Sequence, residues 1–156
     1  HLGLGYCPEE RGIFSSLSVE ENLLLPPVVA SGGIGVEEIY TMFQNLKERR
    51  NSQGTRLSGG EQQMLAMARI LRTGADILLL DEITEGLAPV IVDKLGEVLT
   101  ELKTRGYTII LVEQNFRFAA PLADRHFIME HGHIVETVLK DELQSKSAVF
   151  DEYLSV

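Results

Sequence analysis

The stretch "DILLLDE", Asp76 to Glu82, decides the fold. Its apolar centre does not alternate, so it reads as a strand buried on both faces. "PVIVDKLGEVLTELKTRG", Pro89 to Gly106, reads as the helix that follows, with Pro89 suited to its first turn and Gly106 to its exit. "YTIILVE" is then a second strand, and strand–helix–strand order implies a parallel α/β sheet. Downstream, "NFRFAAPLAD" is a short helix disturbed by Pro121. "HFIME" and "HIVETV" flank the turn "HGH" as a hairpin, and a helix or two closes the chain.

Upstream of Asp76 the pattern is helical, which predicts two lobes. Ser18 with Glu21 forms a capping box for a short helix that must stop by Pro26. "PPVVASGGIG", Pro26 to Gly35, is a loop. Ile39, Met42, Phe43 and Leu46 share one face of a helix over about Val36 to Arg50, which ends on cations that suit its dipole. A second loop, "NSQGTR", leads into "LSGGEQQ", Leu57 to Gln63. Here Ser58 and Glu61 form another capping box, and Met64, Met67, Ala68 and Leu71 make a core-facing stripe.

Composition bounds the function classes. The 156 residues suffice for a real core, with 44% hydrophobic and 24% charged residues. Apolar runs are too short to cross a bilayer, and no secretory signal is expected. Cys7 is the single cysteine, so no internal disulfide can form, which fits a reducing compartment. A net charge of −9, from 14 basic and 23 acidic residues, argues against a dedicated nucleic-acid binder. It does not argue against nucleotide binding, where Mg²⁺ and a few local donors neutralise the phosphates.

Two features carry chemistry. Glycines cost helix stability, yet "SGG" stands at the mouth of a long apolar helix. Lacking Cβ atoms, they let amides approach an anion at the positive end of the helix dipole, although incidental glycines in a capped helix would read the same. The strand "ILLLDE" ends in Asp81 and Glu82, where open α/β sheets bind ligands. Asp81 suits Mg²⁺ through water and Glu82 suits activation of a water, although two acids also simply start loops.

"LSGGEQQ" followed by "ILLLDE" resembles the signature and Walker B motifs of ABC transporter ATPases. "GYCPEERGIF", "VEENLLL", "EGLAP", "LVEQN" and "LADRHFIMEHGHIV" are most similar to the ATPases of branched-chain amino acid importers, and urea-type importers share much of this wording. The resemblance implies a partial P-loop NTPase fold: a parallel sheet with flanking helices plus an α-helical lobe. The Q-loop region would cover 1–12, the signature lobe 13–74, and the α/β core with Walker B, D-loop and C-terminal helices 75–156.

On that resemblance Ser58, Gly59, Gly60 and Gln62 would contact ATP held mainly by a second ATPase subunit. Asp81 and Glu9 would serve Mg²⁺, with Glu9 standing at the Q-loop glutamine position. Glu82 would be the general base. Gln114 stands where a phosphate-sensing histidine is usual, and as a neutral amide it cannot supply a positive charge. Glu85 to Ala88 would be the D-loop at the dimer interface, and Ile83 stands where the family usually has proline.

No G-x-x-x-x-G-K-[ST] occurs in the chain. The expectation is therefore a C-terminal fragment without Walker A, inactive alone, whose open sheet edges invite a non-physiological oligomer. Implied partners of the parent are transmembrane permease subunits and, indirectly, a periplasmic or extracellular binding protein, with no nucleic acid. Its implied location is peripheral, on the cytoplasmic side of the inner or plasma membrane. Arg11, Ile13 and Phe14 fall where the family's lobe meets the permease, or in ordinary lobe packing. Another ABC importer or exporter, a soluble ABC ATPase and a non-catalytic interaction module are the alternatives. His131 and His133 form only a weak metal pair, and Cys7 reads as a small buried residue.

Overall fold

A computed structural model describes residues 3–146, Phe150 and Tyr153, in two compact units, 1–112 and 113–156. Within the first unit, β1 (Leu4–Cys7), β2 (Ile77–Asp81) and β3 (Thr108–Val112) form a parallel sheet in that order. The register sets Cys7 beside Leu80 and Leu80 beside Leu111. Parallel pairing places the carboxyl ends of β1 and β2 side by side, so the loops that follow them start from a common rim.

The sheet corrects one expectation. Leu78, Leu80 and Cys7 are sealed on one face, but Leu4, Tyr6, Ile110 and Val112 on the other remain 46%, 54%, 53% and 54% exposed. A continuous apolar run specifies a strand; it does not specify how many of its faces are covered.

The central helix is α4, Gly59–Arg72, which packs on β1 and on three smaller helices. Those are α1 (Val19–Leu24), α2 (Val36–Met42) and α3 (Gln44–Glu48). Met64, Met67, Ala68 and Leu71 are all buried, and so are Leu65 and Ala66 beside them, so α4 is covered on more than one stripe. Both arms of the Ser18 capping box form, and Leu25 ends α1 before Pro26. The buried Asn22 side chain bonds the backbone of Phe14, Leu17 and Ser18, fixing the segment that leads into α1.

The helix expected over 36–50 is instead two helices. Phe43, at φ −126° and ψ 72°, leaves the helical region between α2 and α3. The expected face is kept, since Ile39, Met42, Phe43 and Leu46 are all buried. No proline or glycine marks the break; burial of Phe43 outweighs the continuity that the period alone implies.

The loop 26–35 is tied down at the far end of α4. Arg72 donates to the carbonyls of Leu23, Leu24 and Pro26, and Val29 donates to the Thr73 carbonyl at 2.7 Å. Helix α5, Pro89–Thr104, starts on Pro89 and buries Leu95, Val98, Leu99 and Leu102. Gly106, at φ +89°, then turns the chain toward β3.

In the second unit, α6 (Phe116–Leu122) is capped by the Asn115 side chain and contains Pro121 one residue before its end. β4 (Arg125–Glu130) and β5 (His133–Leu139) are antiparallel. His131 and Gly132, at φ +47° and +80°, make the two-residue turn that suits twisted hairpins. Ile128, Val138 and Phe150 form the core, and His126 sits edge-on to Phe116 and Phe150. The expected closing helices fall largely outside the described residues. Among the described residues no helix is long and apolar enough to cross a membrane.

Candidate functional site

The rim at the carboxyl ends of β1 and β2 gathers the acids. Tyr6 pairs with Leu79, so its ring lies on the face of Asp81, one pleat on, and its hydroxyl donates to Asp81 Oδ2 at 3.2 Å. Glu82 turns the chain at φ +44°, a conformation uncommon for a side chain with a Cβ, while its amide donates to the Val112 carbonyl at 2.9 Å. The turn brings carboxylate oxygens of Glu82, Glu85 and Glu9 within 4.8 Å of one another. The charge of Glu85, then lost hydration, then the charge of Glu82 raise the Glu9 carboxyl above the usual glutamate range. An all-oxygen set of three carboxylates suits a hard cation such as Mg²⁺.

The mouth of α4 supplies the complementary donors. Ser58 caps the helix: its Oγ accepts from the Glu61 amide at 3.3 Å, and its own amide donates to Glu61 Oε2 at 2.7 Å. The amides of Gly59 and Gly60 have no partner within the helix, as in any first turn. Arg11 adds a cation: a Cβ built on Gly59 would lie 3.2 Å from its Nη1. Arg11 Nε donates to Gln63 Oε1 at 3.2 Å, and Gln63 Nε2 reaches Cys7 Sγ at 3.5 Å. Arg49 pairs with Glu61 at 3.5 Å on the same turn. Phosphate-sized anions suit such a dipole end flanked by two guanidinium groups.

Gln62 turns its Nε2 back to the carbonyls of Leu57 and Gly54, at 3.2 and 3.4 Å, and holds the turn before the helix. Gln114 belongs to the second unit, directly before the α6 cap, where its carbonyl accepts the Phe116 amide at 2.9 Å. Phe14 is half exposed beneath the Arg69 guanidinium, 5.2 Å from its ring centroid. Cys7 is sealed, and burial pushes its thiol up to about 12, which keeps it protonated. Neither His131 nor His133 belongs to a group of three metal-capable side chains among the described residues.

Four residues at the site escaped the sequence reading in these positions. Arg11 stands at the helix mouth, Gln63 links it to β1, Glu85 joins the acids, and Tyr6 holds Asp81. Each contact except the one within loop 82–88 joins segments far apart in the chain. The parallel register of β1 with β2 and the packing of α4 on β1 bring them together, and no local pattern encodes either.

The ABC transporter family profile matches residues 1–85. The chain is 40% identical to the high-affinity branched-chain amino acid transport ATP-binding protein BraG of Pseudomonas aeruginosa, over 97% of this chain and 66% of that protein. It is 34% identical to a probable branched-chain amino acid transport ATP-binding protein, LivF, of Archaeoglobus fulgidus, over 91% and 62%. It is 29% identical to the lipopolysaccharide export ATP-binding protein LptB of Haemophilus influenzae, over 97% and 65%. The chain thus spans 62–66% of the length of these relatives. Among solved structures, a nucleotide-free ATP-binding cassette of an ABC transporter superposes with a TM-score of 0.76 at 17% identity, over 99% of this chain and 68% of its own. A dimeric cassette in a post-hydrolysis state bound to ADP and Pi gives 0.75 at 23%, over 88% and 62%. The fold is therefore that of these cassettes, and with the profile covering more than half of its residues this chain belongs to the ABC transporter family.

Proposed function

We propose that this chain carries one half of a composite ATP site in the energy-coupling subunit of an ABC importer for branched-chain or related amino acids. The observation that carries the reading is the acid rim at the end of β2, where Glu82 is held at φ +44° within reach of Glu9. An acid kept in a costly backbone conformation at the ligand-binding end of a strand is the mark of a working group.

In this reading Asp81, oriented by Tyr6, would hold Mg²⁺ together with Glu9, whose carboxylate lies among those of Glu82 and Glu85. Mg²⁺, when bound, supplies neutralisation of the charge on the terminal phosphate oxygens. Glu82 takes the proton from the attacking water, a role typically worth about 10²–10⁴ in rate. Ser58, Gly59 and Gly60, with Gln62 steadying their turn, grip the terminal phosphate of ATP held by a second ATPase subunit. Gln114, as a neutral amide, would hydrogen-bond a phosphate without supplying positive charge. The 13–74 lobe, with Phe14 exposed on it, meets transmembrane permease subunits, which receive substrate from a periplasmic or extracellular binding protein. The subunit then lies peripherally on the cytoplasmic side of the membrane. Support for the amino-acid substrate is the likeness to BraG and LivF over most of this chain.

The test is Glu82→Gln in the whole protein. The variant abolishes Mg-ATP turnover while ATP-bound dimers accumulate in size-exclusion chromatography. Turnover near the wild-type rate would remove Glu82 as the base.

A further inference from the structure

Gly60 and Gly59 stand together in sequence but face different neighbours. A Cβ built on Gly60 would lie 2.9 Å from Ile91 Cγ1, 3.1 Å from Cγ2 and 3.3 Å from Cδ1. All three atoms belong to one β-branched side chain, which is stiff at χ1 and cannot swing clear cheaply. Gly60 is buried, and its φ is not in the left-handed region, so its backbone would accept alanine. A Cβ on Gly59 meets only the end of the Arg11 side chain, at 3.2 Å or more, and a long flexible arginine can yield.

We infer that Ile91 is a positioning residue, seated on Gly60, that clamps the mouth of α4 to the loop carrying Glu82 and Glu85. Ile91 lies in the first turn of α5, immediately after that loop. Its contact with the first turn of α4 makes the phosphate-facing amides and the acid rim parts of one body. The two glycines are then glycine for different reasons: Gly60 because Ile91 occupies the space of its side chain, Gly59 because its surface stays open beside Arg11. The clamp itself stands on packing alone; only its purpose rests on the ATPase reading.

The experiment is a variant cycle on the full chain, with thermal unfolding and amide exchange over 59–63 and 83–88 as readouts. Gly60→Ala lowers the folding equilibrium constant by about tenfold or more, the usual scale of an overpacked contact. In the Ile91→Ala background the three opposing atoms are gone, and the same change becomes neutral or favourable, because alanine exceeds glycine in a helix by up to about fivefold. Ile91→Val keeps the nearest atoms and leaves the penalty in place. Gly59→Ala is mild for folding in either background. Ile91→Ala alone speeds exchange in both segments together. A Gly60→Ala penalty unchanged by Ile91→Ala overturns the clamp.

Turnover of Mg-ATP by the same variants in the whole protein tests the positioning role. Gly60→Ala lowers kcat with KM nearly constant, and adding Ile91→Ala restores kcat. A pure rise in KM, without rescue, overturns that role. The folding cycle involves no nucleotide, so failure of the clamp and failure of the ATPase reading are separately visible.

Discussion

The capping box at the mouth of α4 makes a quantitative prediction, because its two arms differ in length and charge. The Ser58 hydroxyl accepts the Glu61 amide at 3.3 Å, near the long limit of a useful bond. In the other direction the Ser58 amide donates to the Glu61 carboxylate at 2.7 Å, a short charge-assisted bond. Ser58→Ala removes only the long arm and keeps the backbone amide, so the loss falls at the low end of capping effects, about 0.5–1 kcal/mol. Glu61→Ala removes the short arm. It also removes a first-turn carboxylate that stabilises the helix dipole by about 0.3–1 kcal/mol, and the 3.5 Å pair with Arg49, about 0–1 kcal/mol. Together these bring the Glu61→Ala loss to about 2 kcal/mol. The corresponding drops in Tm for a chain of this size are roughly 1–4 °C and 4–8 °C. With no tryptophan in the chain, far-UV circular dichroism during urea titration is the assay, and m stays constant. Added salt shrinks the Glu61→Ala loss, whose terms are electrostatic, and leaves the Ser58→Ala loss alone. A Ser58→Ala loss equal to or larger than that of Glu61→Ala would refute the argument from geometry.

Two further outcomes follow from single contacts. Gly74, at φ +85°, closes α4, and a Cβ there would lie 2.2 Å from the Ala30 carbonyl oxygen, so Gly74→Ala costs about 2–5 kcal/mol in the same urea titration. Because the folded Glu9 carboxyl is raised, its contribution to stability is present below the unfolded value and is lost as pH rises through the folded value. Glu85→Gln removes the largest cause, and a carboxyl-carbon NMR titration then finds Glu9 back toward the ordinary range; an unmoved Glu9 would show that Glu85 does not face it.

Much of this fold was legible because its signals are local. The capping boxes at Ser18 and Ser58, Pro89 at a helix start and the two-residue turn between β4 and β5 each lie within a few residues of chain. The break at Phe43 was not legible, since nothing in "TMFQN" disfavours helix strongly enough to compete with burial. The open face of the sheet was not legible either: Ile110 and Val112 look like core residues by type, and exposure is a property of what packs nearby. At the site, residue identities were readable and neighbours were not. The family resemblance pairs Glu9 with Asp81, whereas its carboxylate lies within 4.8 Å of those of Glu82 and Glu85. Asp81 turns instead to Tyr6.

Backbone strain without a glycine-paired turn singles out Glu82. Among the described residues, three without a glycine's freedom have positive φ: Arg11, Glu82 and His131. His131 has a sufficient local reason, the tight turn it shares with Gly132. Arg11 likewise shares its turn with Gly12, at φ +58°, whereas Glu82 has no glycine beside it, and glycine there would relieve about 1–2 kcal/mol. The side chain retained at that cost should therefore act where the strain puts it. Arg11 directs its guanidinium at the helix mouth, and Glu82 directs its carboxylate into the acid rim. One strained residue thus serves the anion side of the site and the other the cation side. The Ile91–Gly60 contact joins the first turn of α4, against which Arg11 lies, to the helix that follows the Glu82 loop, so disturbing it would detune both halves together.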